Sequence, residues 1–402
     1  MADVPINLDK VRPADGAGCA VHDGSFNAVL TVDLDALRQN YAFLRRQLRG
    51  AECAAVVKSN AYGLGAREVA HALKASGCRT FFVACLEEAV ALRPALTDPC
   101  RILVLNGLPA GTEALAAESG IMPVLNTLEQ LAAWSRHARA SHRALAAAVQ
   151  IDTGMSRLGL SAAEIDWLSS RPNAFAGIDL RLVMSHLACA DEPNHPVNGQ
   201  QLATFLHLRR RFPATSASLA NSAGIFLGTD YHFDVARPGA ALYGLAPRPR
   251  GANPMRPIVR LSAPVIQIRD VPPGTAVGYG FEYRTPTATR LATVAIGYAD
   301  GWPRQVSTGG SVFYAGVALP IVGRVSMDTI TIDIGELPAD AIQIGTSIEL
   351  IGPHQSTDAV AQAAGTIGYE ILTGLGPRCR RRYVGGTASN RTNTNLGGGH
   401  LK

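Results

Sequence analysis

The sequence predicts an α/β protein: a (β/α)8 TIM-type barrel over residues 26–246, followed by a mostly β domain over residues 250–385. Two patterns carry this expectation. Short apolar runs alternate with amphipathic stretches about eight times before residue 245, as parallel strands covered by outer helices do. After P-R-P-R-G-A-N-P (247–254) the period shortens to two, in V-R-L-S-A-P-V-I-Q-I-R-D (259–270), A-T-R-L-A-T-V-A-I (288–296) and D-T-I-T-I-D-I (328–334). That change reads as a second domain built of antiparallel strands.

Each element follows from its own residues. A-V-L-T-V-D-L (28–34) alternates as a strand, and Asp33 can cap the helix that follows, whose face Leu34, Leu37, Tyr41 and Leu44 recurs at helical spacing. Further strands are expected at 53–57, 80–84, 102–105, 122–124, 144–151, 175–184, 217–220 and 232–235, with helices between them. A closed barrel suits this many units better than an open sheet. Residues 1–25 read as a loosely held leader and 386–402 as a polar, glycine-rich flexible tail.

Composition narrows the function. Of 402 residues, 47% are hydrophobic and 17% charged, which marks a globular chain. The net charge of +5 is mild, and only Arg378 and Arg380–Arg382 cluster, without aromatic interleaving, so no nucleic-acid partner is expected. No apolar run reaches the roughly 18 residues of a membrane span. The seven cysteines are scattered, odd in number and never spaced C-x-x-C, which predicts a reducing, cytoplasmic setting and neither disulfides nor a metal site.

In A-V-V-K-S-N-A-Y-G-L-G (55–65), Lys58 sits just past a strand end, where barrels place their active face. Apolar surroundings can lower the pKa of an amine there, as imine chemistry requires, although a rim lysine also occurs simply reaching for solvent. Other strand ends supply Asp152 and Arg157 in D-T-G-M-S-R-L-G-L, His186 in M-S-H-L-A, Asn221 and Ser222 in L-A-N-S-A-G, and Arg237 and Gly239 in V-A-R-P-G. Ser222 and the backbone near Gly239 suit a phosphate at the last barrel loops. An amine beside a phosphate site fits pyridoxal phosphate and a Schiff-base aldolase equally. Tyrosines flanked by glycine in G-Y-G-F-E-Y (278–283), G-Y-A-D-G-W-P-R (297–304) and G-Y-E-I (368–371) are candidate functional phenols of the second domain.

The motifs K-x-N-A-Y-G-x-G, D-T-G-M-x-R-L-G, N-S, R-P-G, G-Y-A-D-G and G-R-x-S-M-D occur in one order between residues 28 and 384. In this the chain resembles the alanine racemases, fold-type III pyridoxal-phosphate enzymes. The resemblance implies interconversion of L-alanine and D-alanine, serving peptidoglycan synthesis or alanine catabolism, in a cytoplasmic homodimer with shared active sites. It implies that Lys58 carries the cofactor and acts as one base, with Tyr279 of the other subunit as the opposite base. Tyr62, Ser222, Gly239, Ala240 and Tyr369 would hold the phosphate, Arg237 would meet the pyridine nitrogen, and His186 would lie by the ring. Arg157 would touch the cofactor phenolic oxygen and the substrate, and Met327 the substrate. Asp191, Tyr298, Arg304, Arg324 and Ile367 would line the access route. A broader amino-acid racemase, or a non-catalytic carrier of the cofactor, are the alternatives.

Two positions depart from the family pattern. Gln150 stands where a lysine is common; its amide can still bond Arg157 but cannot form a carbamate. Leu64 stands where a histidine is common, which removes a titratable group near Tyr62.

Overall fold

The structure, a computed structural model, describes residues 27–385 apart from 97–98, 172, 250 and 308; the expected leader and tail lie outside the described residues. Seven strands, Ala55–Val56, Thr80–Val83, Arg101–Val104, Ile121–Leu125, Leu145–Gln150, Ile178–Met184 and Ser216–Ser218, pair in parallel and in chain order. An eighth, Val235–Ala236, closes the ring. It pairs in parallel with Glu52–Cys53, the opening half of the strand that continues as Ala55–Val56. On that side Glu52 N–H donates to Asp234 O (2.8 Å) and Ala54 N–H to Ala236 O (3.0 Å); on the other, Asp234 N–H donates to Ala217 O (3.0 Å). Thr80–Val83 and Ile121–Leu125 are buried at every position, as strands covered on both faces must be.

The helices begin where capping chemistry allows. Asp33 accepts from Asp35 N–H and Ala36 N–H at 2.9 Å to start Leu34–Gln47, which buries Leu34, Leu37, Tyr41 and Leu44. Ser161 and Glu164 form a reciprocal box at the start of Ala162–Ser169.

The second domain is organised on the long strand Val259–Val271, which pairs antiparallel with Thr289–Val294 and Ser347–Ile351. The first strand of the chain also belongs here, and this corrects its expected place among the barrel units. Val29–Asp33 lies between Val259–Val271, antiparallel, and Arg380–Val384, parallel. Its alternation satisfies either sheet, and only these distant partners decide between them. The chain therefore enters the barrel from the β domain, and one apolar core runs through both.

The basic cluster is consumed by internal contacts. Arg378 pairs with Asp300 (2.9 Å) and Asp328 (2.7 Å), and Arg382 donates to Thr31 Oγ1 (3.1 Å). Among the described residues, no helix is long and apolar enough to cross a membrane.

Candidate active site

Lys58 follows Ala55–Val56 and opens a turn of unusual hand. Ser59, Asn60, Ala61 and Tyr62 all have φ between 52° and 56°, a left-handed helical turn closed by Gly63 at φ 81°. Each such non-glycine residue costs about 1–2 kcal/mol. Ala61 N–H donates to Val57 O (2.9 Å) and Gly63 N–H to Ser59 O (2.8 Å), while the Glu88 carboxylate accepts from Ser59 N–H (2.6 Å) and Ala84 N–H (2.8 Å). Burial lowers the pKa of the Lys58 amine, and the Arg157 cation lowers it further against the opposing pull of Glu88. The turn thus presents a partly buried amine that loses its proton more readily than a solvated lysine.

Across the mouth, Arg237 is only 3% exposed. Its guanidinium donates to Ser185 O (2.6 Å), Leu219 O (3.5 Å) and Ser218 Oγ, and lies 3.4 Å from His186 Nδ1. Burial brings its pKa down to about 9, so it remains a cation at neutral pH. Burial, and then the charges of Arg237, Arg157 and Lys58, push His186 down to about 3. His186 is therefore a neutral imidazole throughout the working range.

The third group is a polar cradle. Ser222 Oγ accepts from Gly239 N–H (2.9 Å) and Ala241 N–H (3.1 Å), which leaves its O–H to donate elsewhere. Ala240 follows directly, opening the 3-10 turn Ala240–Tyr243. A Cβ on Gly239 would overlap the Tyr62 hydroxyl, so only glycine lets that phenol approach. Tyr62 packs on Tyr243 (4.7 Å between centroids) and near Tyr369 (6.0 Å), whose helix, Gly368–Gly374, comes from the β domain. Burial raises the pKa of both Tyr62 and Tyr369, with the Asp191 carboxylate adding to the effect on Tyr369, so both stay proton donors.

A family model described as alanine racemase, N-terminal domain, matches residues 32–247, and one described as alanine racemase, C-terminal domain, matches 258–383. The chain belongs to the alanine racemase family. A catabolic alanine racemase of Agrobacterium fabrum is 53% identical over 361 residues, covering 90% of this chain and 93% of the relative. The alanine racemase of Bartonella henselae, solved with covalently bound pyridoxal phosphate, is 43% identical with a TM-score of 0.86, over 89% of this chain and 99% of that one. A biosynthetic alanine racemase from Pseudomonas aeruginosa is 39% identical with a TM-score of 0.83, over 90% of this chain and all of its own, 100%.

For an alanine racemase the residues fall into two groups. Lys58, Arg157, His186 and Arg237 are coupled through their charges in the barrel mouth, while Tyr62, Ser222, Gly239, Ala240 and Tyr369 lie in and around the adjoining cradle. The other group stands on the β domain. Tyr279 is 71% exposed between Gly278 and Gly280 (φ 70° and 73°), and Met327 is 53% exposed. Arg324 is bonded to Glu282, whose pKa is lowered first by that bond and more weakly by Arg304. Ala299 N–H donates to Met327 O (2.9 Å), which places Tyr298 beside Met327. Ile367, at the start of the helix that carries Tyr369, is also exposed. No hydrogen bond joins Tyr279 to Lys58 among the described residues.

Gln150 is buried and donates to Leu158 O (3.1 Å), so it braces the loop that carries Arg157 and makes no bond to Arg157 itself. Leu64 is wholly buried in the apolar core. Sequence reasoning missed Glu88, Tyr243, Ser185 and Ser218. Tyr243 donates to Val56 O (2.8 Å) beneath Tyr62, and no local motif announces any of the four.

Proposed function

We propose that this chain interconverts L-alanine and D-alanine with pyridoxal 5'-phosphate as its cofactor. The observation that carries the reading is the amine of Lys58, partly buried and depressed in pKa, set among Arg157, His186 and Arg237 in a chain of the alanine racemase family. The residues present fit the cofactor. Lys58 supplies the amine for its aldehyde, and the Ser222 hydroxyl with the Tyr62 and Tyr369 phenols supplies donors for its phosphate. Once bound, the cofactor supplies an electron-withdrawing ring conjugated to the substrate nitrogen, which acidifies the substrate Cα–H.

The chain's own groups do the rest. Lys58 Nζ takes or returns the Cα proton on one face, and Tyr279 from a second copy of this chain serves the other, so the configuration inverts. With the cofactor bound, Arg237, a cation at neutral pH, would discourage a second positive charge on the ring nitrogen. His186, neutral there, would support the ring without competing for protons. The exposed Tyr279, Phe281, Met327 and Ile367 support a homodimer that covers them. Met327 then contacts substrate, and Asp191, Tyr298, Arg304, Arg324 and Ile367 border its route in. Six free cysteines among the described residues support a cytoplasmic setting.

Purified protein with pyridoxal phosphate should convert either enantiomer of alanine to an equal mixture, read by chiral chromatography. Bound cofactor with both enantiomers unchanged would reject the reading and send the protein to a panel of larger amino acids. Gly239→Ala should weaken pyridoxal-phosphate binding by the apoenzyme about tenfold by fluorescence titration, because the added methyl displaces the Tyr62 hydroxyl. An unchanged affinity would remove Tyr62 from the phosphate group.

A further inference from the structure

Within the left-handed turn Ser59–Tyr62, Asn60 tolerates this backbone and its Oδ1 accepts from Ala66 N–H (2.8 Å), but four consecutive non-glycine residues would still relax to the right hand if released. The remaining restraint comes from outside the turn. Glu88 grips the turn's first amide from the barrel side, at Ser59 N–H. On the far side, two residues of the β-domain strand Arg380–Val384 reach its last carbonyls across more than 300 positions of sequence. Arg381 donates to Gly63 O from Nε (3.2 Å) and Nη2 (3.0 Å), and Tyr383 Oη donates to Leu64 O (3.0 Å).

The same guanidinium holds the second phenol. Arg381 also donates to Leu375 O (2.7 Å), Cys379 O (2.9 Å) and Gly376 O, all just beyond the helix Gly368–Gly374. One side chain therefore ties the turn bearing Lys58 and Tyr62 to the helix bearing Tyr369. A released turn would swing Tyr62 away from Tyr243 and from Gly239, and would separate it from Lys58.

We propose that Arg381 and Tyr383 are positioning residues, clasping the left-handed turn so that Lys58 and Tyr62 keep a fixed mutual aim and Tyr62 stays beside Tyr369. This rests on the reading of Lys58 and Tyr62 given above. Burial keeps the Tyr383 phenol protonated and hence a donor. The clasp belongs to the same domain that carries Tyr279, so that domain serves the barrel of its own chain as well as a second copy.

The test compares Tyr383→Phe and Arg381→Lys with Arg382→Gln, a neighbour on the same strand that bonds Thr31 on the opposite side. Tyr383→Phe should speed amide exchange across residues 59–66 about tenfold in holoenzyme and apoenzyme alike. It should also weaken pyridoxal-phosphate affinity roughly three- to tenfold, and lower kcat while leaving KM for alanine unchanged. Arg381→Lys should act in the same direction and more strongly; if it fails to fold, Tyr383→Phe decides. Arg382→Gln should lower the thermal midpoint as much as Tyr383→Phe yet leave exchange at 59–66 as in wild type. Equal exchange in Tyr383→Phe and Arg382→Gln overturns the clasp. Faster exchange with unchanged cofactor affinity overturns its positioning role, and neither readout depends on alanine being the substrate.

Discussion

Lys58→Ala should lose alanine racemisation by roughly ten-thousandfold or more while the protein remains folded. Lys58 is one of four lysines in the chain, and the only other described one, Lys74, lies on the outer helix Ala66–Ala75. Among the described residues, no second lysine lies in the barrel mouth. Removing it also removes one of several like charges, since Arg157 already lowers its pKa and Lys58 in turn lowers that of His186. The variant should therefore melt no earlier than wild type, by calorimetry. Lys58→Arg should not restore activity, because a guanidinium stays protonated and cannot serve as amine or base. A small primary amine such as methylamine, added to Lys58→Ala, should recover part of the turnover by occupying the vacated position. Substantial activity in Lys58→Ala without added amine would remove Lys58 from the chemistry.

The barrel was legible because its strands are short, apolar and spaced by amphipathic helices, and the β domain because alternation replaced that pattern after Pro254. Lys58, Arg157, His186, Ser222 and Arg237 stand out because each falls at a strand end. What stayed hidden depends on partners far away in sequence. V-L-T-V-D reads as a barrel strand until it meets Val259–Ser262 and Arg380–Val384. S-N-A-Y hints at left-handed backbone only through Asn60, while the contacts that brace the turn from Glu88, Arg381 and Tyr383 come from far away in sequence. Arg378–Arg382 looks like a surface patch, although Arg378 meets two carboxylates and Arg381 four backbone carbonyls. Local pattern encodes which elements form, while side-chain contacts across the fold decide how those elements are held against one another.

Tyr279→Phe should lower racemisation by about a hundred- to ten-thousandfold and leave cofactor affinity unchanged. The proposed phosphate donors are Ser222, Tyr62 and Tyr369, and Tyr279 is read as a base at the substrate face, so losing its hydroxyl should leave the phosphate contacts in place. With one base gone, one face of the substrate still exchanges its proton. In deuterium oxide, one alanine enantiomer should therefore continue to take up deuterium at Cα with its configuration retained, while the other stays unlabelled. Mixing adds a test of the shared site. If the site is shared between two copies as proposed, Lys58→Ala and Tyr279→Phe should each be nearly inactive alone, but a mixed dimer would unite the intact Lys58 of one copy with the intact Tyr279 of the other in one of its two sites. Random exchange makes about half the dimers mixed, so the mixture should recover about a quarter of wild-type activity. A site contained within a single chain would recover none of it, since each copy would still lack one base.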